Sequence, residues 1–148
     1  MKLLLDTSVL SAYFDERQPE RMALTKEFWK NIKNYDVFIS EITIQEINLI
    51  TDKKIKSDFL KLIQFFKILK ISLEVKSLTQ NYIAAGIIPQ NYINDAIQIA
   101  TASANKIDVL VSWNFRHMVN RKVETKINAI NVLRGYPQID IAAPGELL

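Results

Sequence analysis

The chain has no cysteine among its 148 residues. That excludes disulfides, thiolate zinc sites and cysteine nucleophiles, and it suits a reducing cytoplasm, the expected location. Glycine and proline are scarce, at three and four residues, so long flexible linkers are not expected. His117 is the only histidine, which rules out a multi-histidine metal site. No apolar run approaches the ~18 residues that a membrane span requires. The opening Leu3-Leu4-Leu5 run stops at Asp6, too early for the core of a signal peptide. No membrane partner is expected.

What is present is ordinary globular material: 49% hydrophobic residues, 24% charged and a net charge of +3. This mildly basic balance tolerates a polyanionic partner without demanding one. No repeat or composition break divides the chain, so residues 1–148 are read as one domain.

Apolar periodicity gives the elements. Strands are predicted at Lys2–Leu5, Val37–Ile39, Asp108–Ser112 and Ile139–Ile141. Helices are predicted over Thr7–Phe14, Pro19–Lys33, Ile42–Ile50, Ile55–Leu69, Val75–Ala85, Ile93–Ala104 and Asn120–Leu133. Ile71–Leu73 fits a short strand or a helix tail. Alternation of strand and helix implies a mostly parallel sheet covered on both faces. Ligands of such sheets bind beyond the carboxyl ends of the strands. Asp6 and Asn114 fall at that rim, whereas Asp36 and Asp108 begin strands and fall at the opposite one.

Four acid or amide residues sit inside apolar segments: Asp6, Glu46, Asp95 and Asn114. An ionised carboxylate loses its water in such surroundings and needs a partner. Hard oxygen ligands gathered from remote segments suit Mg²⁺ or Mn²⁺. Each residue also has a plainer explanation. Asp6 can cap the following helix. Glu46 can close a Thr43–Glu46 capping box, although it also falls on the apolar arc between Ile42 and Ile50. Asp95 suits the first turn of a helix, where the macrodipole favours an acid. Asn114 can be a loop residue. Thr7, Ser8 and Ser112 are turn residues or donors that orient carboxylates. His117 reads as a surface residue, and Arg116 and His117 are also placed to meet a phosphate. Trp113 and Phe115 read as packing residues.

In order along the chain, these segments resemble the PIN domain, in particular the stand-alone VapC-like toxins of toxin–antitoxin modules. The resemblance is carried by Leu4-Leu5-Asp6-Thr7-Ser8, by Ser40 to Glu46, by Asn94-Asp95-Ala96-Ile97-Gln98-Ile99-Ala100 and by Leu110 to His117. The tail from Asn128 to Glu146 adds to it. It implies a three-layer α/β/α fold and a metal-dependent ribonuclease. Asp6, Glu46 and Asp95 align with the family's acidic triad. Asn114 falls at a fourth position where many relatives carry Asp; an amide contributes no charge, so a second metal would bind more weakly. The resemblance further implies an RNA substrate, a cognate antitoxin and a homodimer, with helices Ile42–Ile50 and Ile55–Leu69 as candidate partner surfaces.

Two other readings stand beside it. One is a phosphotransferase with Asp6 as covalent nucleophile. A haloacid-dehalogenase-like enzyme wants a second Asp where Ser8 stands, which counts against it. The other is a degenerate PIN domain that binds RNA or a protein without cutting.

Overall fold

The computed structural model describes residues 1–148. Five strands form one sheet in the order β3-β2-β1-β4-β5, every neighbouring pair parallel. They are β1 (Lys2–Leu5), β2 (Asp36–Ser40), β3 (Lys67–Leu69), β4 (Val109–Val111) and β5 (Asp140–Ala142). Seven helices connect and cover them: α1 (Thr7–Phe14), α2 (Pro19–Lys30), α3 (Glu41–Asn48), α4 (Lys53–Leu62), α5 (Leu73–Ala84), α6 (Ile93–Ala104) and α7 (Arg121–Leu133). No helix is long and apolar enough to cross a membrane.

The triple leucine of β1 explains its central place. Leu3, Leu4 and Leu5 are wholly buried, and alternate side chains enter opposite layers. Leu4 joins Phe38, Leu110 and Ile141 beneath α5, α6 and α7. Leu3 and Leu5 join Val37, Ile39, Val109 and Val111 against α1 and α2, with Ile47 of α3 and Phe59 of α4. The sequence expectation of a parallel sheet covered on both faces holds.

The strand order reverses at β1. The chain leaves β1 toward β2 and β3, then crosses back to place β4 on its other side. In open α/β sheets such a switch point opens a crevice at the carboxyl rim. Asp6 ends β1 there, its amide donating to the Val111 carbonyl at 2.9 Å, and Ser112 to Asn114 leave β4 beside it. Asp36 and Asp108 lie at the far rim, where the Asp108 carboxylate accepts the Lys2 amide at 2.7 Å.

Several boundaries differ from expectation. The helix expected over Ile55–Leu69 is α4, which stops at Leu62, and Lys67–Leu69 is instead the edge strand β3, with Ile68 opposite Ile39. The apolar rhythm of Ile55, Phe59, Ile63 and Phe66 runs on past the helix end, so periodicity alone conceals the break. Ile71–Leu73 is neither a strand nor a helix tail: Ser72 caps α5, its hydroxyl accepting the Val75 amide. α2 ends at Lys30 and gives way to a 3₁₀ turn over Ile32–Asn34. Asn120 caps α7 by accepting two amides, rather than forming its first turn. The inward faces of α3 and α4 belong to the core through Ile47 and Phe59, while Ile55 and Leu60 of α4 stay exposed.

Candidate active site

Asp6 lies at the end of β1, 7% exposed. It makes no side-chain cap to α1. Its Oδ2 instead accepts the Ser8 hydroxyl at 2.6 Å and the Ser112 hydroxyl at 2.9 Å. These two hydroxyls are further tied to the β4 exit: Ser8 Oγ accepts the Trp113 amide, and Ser112 Oγ accepts the Asn114 amide, both at 2.9 Å. Ser8 and Ser112 therefore anchor a carboxylate rather than acting as plain turn residues.

Glu46 projects from α3. The capping box expected for it does not form, because the helix begins earlier, with Ser40 as its cap. Glu46 Oε1 accepts the Thr7 hydroxyl at 2.8 Å. Thr7 Oγ1 lies 2.9 Å from Thr43 Oγ1, which accepts Gln98 Nε2 at 2.7 Å. With the Thr7 proton given to the carboxylate, the Thr43 proton points to Thr7. A directed chain of donors thus runs from Gln98 through Thr43 and Thr7 to Glu46. Gln98 is buried, and its Oε1 is the one buried side-chain polar atom without a partner.

Asp95 comes from the first turn of α6, half-buried. Its Oδ2 meets His117 Nδ1 at 2.9 Å and accepts Asn114 Nδ2 at 3.2 Å. His117 is 8% exposed and packs its ring 4.2 Å from that of Tyr92, so the surface reading of this histidine is overturned. Asn114 turns its Oδ1 to the His117 amide at 3.0 Å, which takes one of that oxygen's two acceptor sites. Arg116 lies over the Tyr92 ring, 5.6 Å from its centroid. Trp113 packs in the core as expected, and Phe115, about half exposed, sets its ring edge-to-face against Trp113.

Charge accumulates at this rim. Burial pushes the Asp6 carboxyl above its usual range, the Ser8 and Ser112 hydroxyls oppose that rise, and the charge of Asp95 adds to it. Burial also raises Glu46, against the Thr7 hydroxyl, with further contributions from Asp6 and Asp95. Each of the three acids has one oxygen held from behind by protein donors, while its other oxygen makes no side-chain hydrogen bond. Oxygens of this kind, repelling one another and oriented by outer donors, fit a hard divalent cation in their chemistry. Their spacing is wider than a closed cage: no three acidic or histidine side chains stand close enough to grip an ion as arranged.

The PIN domain family model matches residues 3–117. The chain belongs to the PIN domain family. The match spans all four segments that carry the site. No curated protein sequence matches the chain. Among solved structures, this PIN-domain protein is similar to VapBC2 from Rickettsia felis, solved bound to a DNA fragment from its promoter. The TM-score is 0.61 at 16% identity, over 97% of this chain and 98% of the other. It is also similar to VapC20 of Mycobacterium tuberculosis, a sarcin-ricin loop cleaving toxin. There the TM-score is 0.57 at 11% identity, over 93% of this chain and 98% of the other. At these identities the likeness establishes a shared fold, and the fold is that of the VapC-type PIN domains.

Gln98 and Thr43 escape a reading of the sequence for site residues. A polar residue among Ala96, Ile99 and Ala100 was the available signal for Gln98. Thr43 offered none that separates it from an ordinary helix residue.

Proposed function

We propose that this chain is a metal-dependent endoribonuclease, one PIN domain over residues 1–148, acting as the toxin of a type II toxin–antitoxin module. The observation that carries the reading is the convergence of Asp6, Glu46 and Asp95 at the switch-point crevice, each with one oxygen anchored and one left for a ligand. Mg²⁺ or Mn²⁺ is the proposed cofactor; such an ion supplies Lewis-acid polarisation of a phosphodiester and a more acidic water. Asp6 and Asp95 hold it. Glu46 completes that shell or orients the attacking water, its carboxylate fixed by Thr7. Ser8 and Ser112 keep Asp6 turned toward the cleft, and His117 and Asn114 do the same for Asp95. Arg116, over the Tyr92 ring, is the residue proposed to meet a substrate phosphate.

Because water rather than a ribose hydroxyl attacks, the products carry a 5′-phosphate and a 3′-hydroxyl. RNA as substrate agrees with the sarcin-ricin loop cleavage by VapC20, and a cognate antitoxin agrees with the VapBC2 assembly. A homodimer and a cytoplasmic setting complete the reading.

A second reading has its own support. The acids do not close into a cage, and the Asn114 oxygen already accepts a backbone amide and brings no charge. Both features suit a PIN domain that binds RNA or protein without cutting it. A transcript panel incubated with Mg²⁺, Mn²⁺ or EDTA decides between them. The nuclease reading requires cleavage with metal, none with chelator, and none from Asp6→Asn or Asp95→Asn variants that still fold. Metal-dependent cleavage undiminished in both variants rejects the site.

A further inference from the structure

We propose that the cleft beside the acids contains a second subsite, in which Arg21 receives a phosphate of the RNA strand flanking the one being cut. The proposal takes its ligand class from the nuclease reading. Its geometry is independent of that reading.

A cavity of about 380 Å³ lies along the edge of the acid site, walled by Ser8, Asp15, Gln18, Arg21, Trp113 and Asn114. Two of these wall residues are already part of the acid site. Ser8 holds Asp6, and Asn114 holds Asp95. A strand seated with one phosphate at the acids therefore has its neighbouring linkage beside this cavity.

The charge of the cavity is settled by who is paired. The Asp15 carboxylate is occupied on both oxygens by Arg17, through Nε at 2.9 Å and Nη2 at 3.3 Å. Arg21, in contrast, has no carboxylate within 4.0 Å and its guanidinium donates to no protein acceptor. It is nevertheless held in place. Its guanidinium lies over the Trp113 ring at 5.3 Å and over the Phe115 ring at 5.4 Å from the centroids. Trp113 is itself pinned, its indole N–H donating to Thr25 Oγ1 at 2.9 Å. Thr25 in turn donates to the Arg21 carbonyl at 2.6 Å. A planar fork resting against two rings that meet edge-to-face, their centroids 6.1 Å apart, has already given up part of its side-chain freedom, while its N–H donors remain uncommitted. That is the form of a preordered anion clamp.

A phosphodiester fits this clamp better than a lone carboxylate metabolite does. The cavity shares the Ser8 and Asn114 walls with the site of three acids, so a small anion there feels their repulsion and gains nothing from the second position. A polynucleotide gains from both, because its anions are covalently spaced.

The test compares wild type with Arg21→Met, which keeps a stem to pack on the rings but loses the charge. The substrate is a single-stranded RNA cleaved at one dominant site. A companion series replaces each phosphodiester in turn with a neutral methylphosphonate. Cleavage kinetics in Mn²⁺ are read with the acids intact, and binding by fluorescence anisotropy is read in an Asp95→Asn background. Arg21→Met is expected to raise KM and Kd about tenfold or more, with kcat changed less. In the wild-type Arg21 background, a methylphosphonate at one linkage next to the scissile one should cost a similar factor. The same replacement should cost Arg21→Met nothing further. Identical interference at every linkage with and without Arg21 overturns the subsite. So does a loss confined to kcat or to thermal stability, which marks Arg21 as a packing residue. If no metal supports cleavage, the nuclease reading fails, and the anisotropy series alone decides the subsite.

Discussion

His117 Nδ1 stands 2.9 Å from Asp95 Oδ2, and the backbone amide of His117 is held by the Asn114 side chain. The turn after β4 thus grips the acid of α6, joining two segments 22 residues apart at one carboxylate. An outer donor of this kind fixes the orientation of a metal-binding oxygen. His117→Ala should therefore weaken Mn²⁺ affinity roughly 10- to 100-fold, and cleavage at limiting metal should fall with it. Titration of activity against Mn²⁺ measures this. An unchanged metal dependence would show that the pair only packs the turn.

The buried acids set the pH dependence of the metal-free protein. Asp6 and Glu46 have carboxyls raised above their unfolded values, with burial as the largest cause in each. The folded state then holds more protons than the unfolded state across the window between the two values. Stability from these groups is full below the unfolded value and is lost as pH rises through the folded one. A cation at the site offsets that loss. The Tm gain on adding Mn²⁺ should be larger at about pH 8 than at about pH 5. In chelator at the higher pH, Asp6→Asn should be more stable than wild type, on the order of 1 kcal/mol, while inactive. Calorimetric scans with and without EDTA check both signs. An Asp6→Asn protein less stable than wild type in chelator would contradict the account.

Much of this was legible in the residues. β1, β4 and α6 read directly, because continuous apolar runs and small residues mark buried elements whatever their partners. Asp6, Glu46 and Asp95 stood out because an acid in such a run needs explaining. β3 did not read, since a three-residue edge strand has too few positions to break the helical rhythm before it. His117, the sole histidine, reads as a surface residue; it is buried with its ring packed on Tyr92, far off in sequence. Long-range hydrogen bonds have no signature in one sequence, so the donor chain behind Glu46 was invisible.

Tyr82 offers a control remote from the cleft. Its hydroxyl donates to Asn131 Oδ1 at 2.5 Å and lies 3.1 Å from Ser103 Oγ, all within the core beneath α5, α6 and α7. Burial pushes the phenol well above its usual range, so it stays a donor at any working pH. Tyr82→Phe leaves the Asn131 oxygen without that donor and should cost about 1–3 kcal/mol. Denaturant unfolding reads the loss. Specific activity per folded molecule should be unchanged, which separates scaffold damage from damage to the site.

Gln98 gives the sharpest separation of stability from function. It is buried with Oε1 unpartnered, a state that itself costs about 1–3 kcal/mol. Its Nε2 heads the chain through Thr43 and Thr7 that ends on Glu46 Oε1. Replacing it with Leu removes the orphaned carbonyl together with the donor, and the Thr43 hydroxyl still has Thr7 as a partner. Stability should therefore stay level or rise. Glu46 loses part of its orientation, so kcat should fall, roughly tenfold, with KM little changed. Thr43→Val breaks the same chain one link later and should give the same kinetic loss. The double variant should then lose no more than either single change, because both act through one path. Additive losses would mean that Gln98 and Thr43 influence the cleft separately, and an unaltered kcat in Gln98→Leu would reduce the chain to core packing.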